Sequence, residues 1–273
     1  MTDRGVESPR LDAEVLLAYV LGMDRLGIYV NFDRPLEPQE VDRYRQAIWR
    51  RGRREPVAYI VGEKEFMGQP FSVSPAVLIP RPETELLVEA VVARLQEQAV
   101  SPPISVVDVG TGSGVIAVML ALLLPQAVIT ACDVSSQALA LARQNAARHG
   151  VTKRVDFVHS DMLRTLPVDA RYHCIVSNPP YIAEEELASL APEVQYEPRA
   201  ALAAGADGLA LIKRLMAEAR DRLTDGGLLA MEIGAVQAEA VRLLAKEHFG
   251  THAEVVKDYA GRERFVFVRK VEP

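Results

Sequence analysis

Two cysteines in 273 residues, Cys132 and Cys174, supply no disulfide framework. Both lie inside apolar runs, far apart in sequence and outside any Cys-x-x-Cys pair, so they read as buried structural thiols of a reduced, cytoplasmic compartment. Excess basic charge is also missing. Lys+Arg 31 against Asp+Glu 37 gives a net charge of −6, which excludes a general nucleic-acid binder. The five histidines (His149, His159, His173, His248 and His252) show no metal-ligand spacing, so no metal is expected. No apolar run is long enough for a membrane span. The best, VIAVMLALLLPQAVITAC at 115–132, is broken at Pro125 and Gln126, short of the roughly 20 residues a bilayer needs. It reads as a buried helix, a turn and a buried strand. The opening MTDRGVESPRLDAE lacks the basic and apolar regions of a signal peptide. Internal repeats and low-complexity segments are absent too.

What is present is 49% hydrophobic residues, enough to bury a substantial core. Three regions follow one another. Residues 1–56 read as a helical domain: Ser8 and Pro9 predict a helix start with a side-chain cap, and a second helix runs from Pro38 to Arg51. Ten arginines against nine acids make residues 1–54 slightly basic on an acidic chain. Arg50, Arg51, Arg53 and Arg54 concentrate that charge, either as cations at a helix C-terminus or as a docking surface for an acidic partner or RNA. Residues 57–80 carry short β-prone runs broken by Gly62, Gly68 and Pro70, which predicts a β-hairpin linker. Residues 81–273 alternate strand and helix. Strands are expected at 104–110, 127–134, 154–161, 172–179 and 227–234, helices at 114–124, 136–149, 207–223 and 236–248, and a closing hairpin around Gly261. Continuously apolar strands argue for a parallel sheet covered on both faces. The fold class is α/β, and the hairpin ending points to a methyltransferase-like sheet rather than a dinucleotide dehydrogenase.

The first of these strands runs into Asp108-Val-Gly110-Thr111-Gly112-Ser113-Gly114. Glycines there allow a tight turn and a close backbone approach to a ligand. The spacing is G-x-G-x-G behind an acid, not the G-x-G-x-x-G that cradles a pyrophosphate. Asp108 would repel phosphate but suits the cationic amino-acid end of S-adenosylmethionine. Asp133, ending the second strand, is placed to accept ribose hydroxyls, and Asp161, ending the third, to accept an adenine amine.

Ser-Asn178-Pro179-Pro180-Tyr181 ends the fourth strand, beside the glycine loop at the switch point of such a sheet. The Asn178 carbonyl and a proline-pair carbonyl suit the two hydrogens of a planar NH₂ group, and Tyr181 offers a flat face to stack on it. An amide nitrogen is a weak nucleophile, and holding its N–H bonds can turn its lone pair toward an electrophilic methyl.

With these residues on the page, the chain resembles the PrmC/HemK family of protein-(glutamine-N5) methyltransferases over nearly its whole length. REPVAYIVG (54–62), LIPRPETE (78–85), DVGTGSG (108–114), SNPPYI (177–182) and YEPRAAL (196–202) carry the resemblance. It implies a seven-stranded Rossmann-like domain behind a helical substrate-recognition domain, and S-adenosyl-L-methionine as cofactor. Gly110, Thr111, Gly112, Ser113 and Gly114 would line that cofactor and Asp133 would hold its ribose. Asn178 to Tyr181 would bind the glutamine of the Gly-Gly-Gln loop of a class-1 peptide-chain release factor. Where many relatives have an aromatic residue after the third strand's acid, this chain has Met162, whose thioether can pack on adenine. Asn-Pro-Pro-Tyr is shared with adenine-N6 methyltransferases of DNA and RNA. Against that alternative stand the net charge and the acids Glu184, Glu185, Glu186, Glu193 and Glu197, which would oppose phosphate contacts. A non-catalytic cofactor-binding protein would leave Asn178 without a purpose.

Overall fold

The computed structural model describes residues 1–98 and 100–271; Ala99 and the last two residues of the expected 81–273 domain lie outside the described residues. The chain begins with helices α1 (Pro9–Leu21), α2 (Arg25–Val30), α3 (Pro38–Gly52) and α4 (Val57–Val61). Pro9 opens α1 in its first turn, but Ser8 makes no side-chain capping hydrogen bond, so only half of the expected start signal is used. Leu16, Ala47 and Ile60 from α1, α3 and α4 form the small core that holds the bundle together.

The linker is part helix and part hairpin. Strands β1 (Glu63–Phe66) and β2 (Gln69–Ser72) pair antiparallel across Met67 and Gly68, whose φ angles of 49° and 72° make the left-handed two-residue turn a tight hairpin prefers. The preceding β-prone run is helix α4 instead. One helical turn sends Tyr59 and Ile60 into two different cores, and that burial overrides strand propensity. The hairpin is not a loose tether: Phe66 and Phe71 are buried in the main core. Asn145 Nδ2 donates to Ser72 O (3.0 Å) and to Ser113 O (2.8 Å), joining the hairpin to the glycine loop.

Helix α5 (Pro82–Glu97) leads into the sheet, made of β3 (Ile104–Val109), β4 (Ala127–Asp133), β5 (Val155–His159), β6 (Tyr172–Ser177), β7 (Leu223–Glu232), β8 (Glu254–Lys257) and β9 (Glu263–Arg269). Their spatial order is β5-β4-β3-β6-β7-β9-β8, with β9 antiparallel to both neighbours. Helices α6 (Val115–Leu123), α7 (Ser136–Arg148), α8 (Ala210–Ala219) and α9 (Ala238–Phe249) cover it. Successive strand residues face opposite cores: Val106, Cys174 and Leu228 one, Val107, Ile175 and Leu229 the other. Cys132 and Cys174 fall on opposite faces, and burial pushes the Cys132 thiol up to about 12. Among the described residues no helix is long and apolar enough to cross a membrane, and the 115–132 run divides into α6, a turn and β4.

The arginine cluster is mostly spent inside the molecule. Arg51 donates to Asp12 (2.7 Å) and to Glu193 (2.9 Å), and Arg54 donates to both oxygens of Glu193 at 2.7 and 2.6 Å. Arg50 pairs with Glu55, and the Arg53 carbonyl accepts from the Tyr196 hydroxyl at 2.7 Å. The cluster is thus a junction between the bundle and residues 193–196. Burial acts to raise the Glu193 carboxyl, but hydrogen bonds from Arg54 and Arg51 hold it down at about 2. This corrects the expected acidic rim: Glu193 is neutralised, and Glu197 is buried against Arg81.

Candidate active site

The chain order β3-β4-β5 runs outward from the centre and then returns to β6 on the other side of β3. The crevice of a doubly wound sheet opens between the carboxyl ends of the two strands where that reversal occurs. Here β3 delivers the glycine loop and β6 delivers Asn178.

In the loop, Gly110, Gly112 and Gly114 take left-handed φ angles of 71°, 55° and 83°. Gly114 is additionally jammed against α7, since a Cβ there would stand 2.9 Å from Ala142 Cβ. Asp133 braces the turn: its Oδ2 accepts from Gly112 N (2.9 Å) and its Oδ1 from Ser135 N (2.8 Å). A cavity of about 320 Å³ begins at this loop and at Asp133 and extends past Asp161 and Met162. Its other wall is Asn178, Pro179 and Pro180.

Two expected contacts are placed differently. Asp108 is set beneath the loop, outside the cavity wall and fully buried. Its Oδ2 accepts from Thr111 Oγ1 (2.6 Å) and Ala117 N (3.2 Å), so it shapes the turn from below, while Oδ1 is buried without a partner. Tyr181 is also set back. Its hydroxyl donates to Glu232 (3.2 Å), its carbonyl accepts from Gln237 Nε2 (2.9 Å), and its ring packs on the core beneath α8 and α9. It anchors the strand exit instead of presenting a free face. Asp161 lines the cavity but is ion-paired, and the hydrogen bond from Arg214 (2.9 Å) holds its carboxyl below the usual range.

Burial pushes Asp108 up to about 7 against an ordinary value of 3.8. Between those values the folded chain keeps a proton that the unfolded chain has shed, so this group's contribution to stability falls as pH rises. Asp108→Asn removes the effect. Between pH 5 and pH 8 the wild type is expected to lose about 2 kcal/mol relative to the variant in urea unfolding. A pH-independent difference between the two proteins would refute the assignment.

Sequence reasoning missed the groups behind Asn178. Asn178 Nδ2 donates to Thr84 Oγ1 (3.0 Å), and Thr84 Oγ1 donates to Glu232 Oε2 (2.7 Å). Thr84 comes from the first turn of α5, within LIPRPETE, and Glu232 ends β7 beside the strand exit. Burial raises the Glu232 pKa, with the hydrogen bond from Thr84 opposing it. The signal was available: Glu232 is an acid at the carboxyl end of an apolar strand, as Asp108, Asp133 and Asp161 are. LIPRPETE and YEPRAAL meet here as well. Glu197 accepts from Arg81 and from Ile79 N (3.1 Å), and Ile182 N donates to Leu202 O (3.0 Å), binding the strand exit to YEPRAAL.

The Asp133 carboxylate on the wall and the side-chain-free backbone of the glycine loop fit a cationic nucleoside-bearing cofactor. Solved structures share the fold. A T. thermophilus 16S rRNA methyltransferase solved with AdoMet and guanosine aligns with TM-score 0.57 at 20% identity, over 76% of this chain and 49% of that one. A methyltransferase from Pyrococcus furiosus aligns with TM-score 0.55 at 17% identity, over 77% and 92%. Fold and site together are those of a methyltransferase, and residues 82–205 match the methyltransferase small domain. Residues 1–62 match the PrmC N-terminal domain. Release factor glutamine methyltransferases from Geobacter sulfurreducens (46% identical, 88% of this chain, 82% of that one) and Chlorobaculum tepidum (44%, 96% and 90%) are similar along most of their length. One from Moorella thermoacetica is 43% identical over 98% of this chain and 94% of that one. The chain belongs to the release factor glutamine methyltransferase family.

Proposed function

We propose that this enzyme transfers a methyl group from S-adenosyl-L-methionine to the side-chain amide nitrogen, N5, of the glutamine in the Gly-Gly-Gln loop of class-1 release factors. The observation that carries the reading is the Asn178 amide. Its Nδ2 is committed to Thr84, and its Oδ1, with no hydrogen-bond partner among the described residues, is left to accept from an NH₂ group in the cavity.

The bound cofactor supplies an electrophilic methyl. The protein's part is to position the nitrogen. Asn178 Oδ1 and a carbonyl of the Pro179–Pro180 pair accept the two N–H bonds and aim the lone pair, and the same acceptors stabilise the positive charge that grows on nitrogen. Pro179 and Pro180 offer no N–H to compete for those carbonyls. Tyr181 holds the exit in place through Glu232 and Gln237. Gly110, Thr111, Gly112, Ser113 and Gly114 would bind the cofactor with Asp133, and Asp161 and Met162 would flank its adenine. Asp108 shapes the loop that does so.

The helical residues 1–56 are assigned to recognition of the release factor, and the cytoplasm, where translation runs, is the compartment assigned to the enzyme. Nucleic acid is not assigned as a partner. The net charge of −6 and the exposed Glu185 and Glu186 support that reading. Labelled-methyl transfer tests the reading. Label is expected on a class-1 release factor, not on its Gln→Ala loop variant and not on DNA or RNA. Equal label on the loop variant, or label on nucleic acid, would sink it.

A further inference from the structure

Shape alone does not choose which end of the Asn178 side chain faces the cavity, because the oxygen and nitrogen of a primary amide are nearly equal in size. The choice must come from the polarity of what lies behind it. Behind it are Thr84, 2% exposed at the edge of the cavity, and Glu232, 1% exposed and outside the cavity wall, neither of which serves as an acceptor in the reaction above. We infer that Glu232, acting through the Thr84 hydroxyl, is a positioning residue that sets the direction of the Asn178 amide and so keeps its oxygen toward the substrate nitrogen. The inference rests on the glutamine reading of the site.

An ionised carboxylate only accepts hydrogen bonds. Glu232 Oε2 takes the Thr84 hydroxyl proton at 2.7 Å and Oε1 takes that of Tyr181 at 3.2 Å. Having given up its one proton, the Thr84 oxygen can only accept from Asn178, so the end 3.0 Å away must be the NH₂. The three groups form a relay with one sense of direction, and Oδ1 is the end left over. Reversing Asn178 would set a lone pair against a lone pair at Thr84 and an NH₂ against the substrate's own NH₂. Burial raises the Glu232 pKa, and the hydrogen bond from Thr84, the Arg264 guanidinium and the hydrogen bond from Tyr181 act against burial to favour the charged form that the relay uses. The same carboxyl group accepts from the Tyr181 hydroxyl, so one buried side chain orients both ends of the strand exit.

Three variants separate orientation from packing. Thr84→Val keeps the shape and loses the hydroxyl. Thr84→Ser keeps the hydroxyl and loses a methyl. Glu232→Gln replaces an acceptor-only group with one that also donates. Thr84→Ser is expected to hold kcat within about threefold, and Thr84→Val and Glu232→Gln to lower it about 30-fold or more, with cofactor affinity by calorimetry unchanged within about twofold. The direction itself is read without substrate, from hydrogen exchange of the ¹⁵N-labelled Asn178 side-chain amide. Exchange should be slow in wild type and Thr84→Ser and at least tenfold faster in Thr84→Val and Glu232→Gln. Thr84→Val with wild-type kcat and exchange overturns the inference, and so does equal loss in the Ser and Val variants, which marks a packing role. If Glu232→Gln fails to fold, the Thr84 pair decides alone. Absence of methyl transfer by the wild type would overturn the functional reading instead, while the exchange measurement still judges the relay.

Discussion

Asn178→Ala is expected to lower kcat by about 10²- to 10³-fold while cofactor affinity stays within about twofold, the loss typical of removing one well-placed group that stabilises developing charge. The split follows from geometry. Asn178 belongs to the wall opposite the glycine loop, and the braces of that loop, Asp133 and Asp108, make no hydrogen bond to it. Truncation removes an acceptor whose bond strengthens as the nitrogen becomes cationic, so the cost falls on turnover more than on binding. It also leaves the Thr84 oxygen without its donor, a buried loss of about 1 kcal/mol or more in stability. Equilibrium binding of cofactor together with single-turnover methyl transfer reads both quantities. A variant that binds cofactor a hundredfold more weakly yet turns over normally at saturation would remove Asn178 from the role given to it.

Gly208→Ala should be nearly as damaging from a position that touches no ligand. Gly208 has φ 69° and packs on the back of the strand exit. A Cβ there would sit 2.4 Å from Tyr181 O, 2.8 Å from Gln237 Nε2 and 3.2 Å from Ala183 N. Backbone atoms cannot swing aside as a side-chain end can. Gln237 Nε2 donates to Tyr181 O and, at 3.1 Å, to Gly208 O, so the intruding methyl would split that clamp as well. Left-handed strain and the clash together are expected to cost about 2–4 kcal/mol in urea unfolding. In the fraction that folds, the displaced exit should lower kcat at least tenfold, since small misplacements of reacting groups carry large penalties. Normal kcat at saturating substrates would show that the exit tolerates the shift.

What the sequence disclosed and what it withheld divide along one physical line. The sheet was legible because strands buried on both faces are near-continuous apolar runs, as at 104–109 and 172–177, and the closing hairpin announced itself by the missing helix around Gly261. Helices α2 and α4 were not, being too short to display a helical period, and α4 is built from residues with strand propensity. The glycine-loop side of the cavity was readable because its glycines and the acids Asp133 and Asp161 at strand ends are local signals. The support behind Asn178 was readable only at Glu232, an acid at a strand end; Thr84 and Gln237 carry no such local signal, and the three meet only when α5, β7 and the start of α9 close on the strand exit. Asp108 and Tyr181 were identified as parts of the site, but their depth was misjudged: spacing along a chain says which edge of the sheet a residue reaches, not whether it lies on the surface of a cavity or one layer beneath it. The arginine cluster misled in the opposite way. Its charges looked available because the carboxylate that absorbs two of them, Glu193, is distant in the chain.

That carboxylate has a mechanical consequence. Glu193 and Tyr196 are gripped by the bundle, and four residues past Glu193 the same stretch reaches Glu197, which holds Arg81, and then Pro198, Ala200 and Ala201 on the cavity wall. Bundle and wall are therefore linked in series like a handle and a jaw. A macromolecule that seizes the helices also pulls on the jaw. A chimera that exchanges residues 1–56 for another helical cap inherits a jaw with no handle unless Arg51 and Arg54 travel with it.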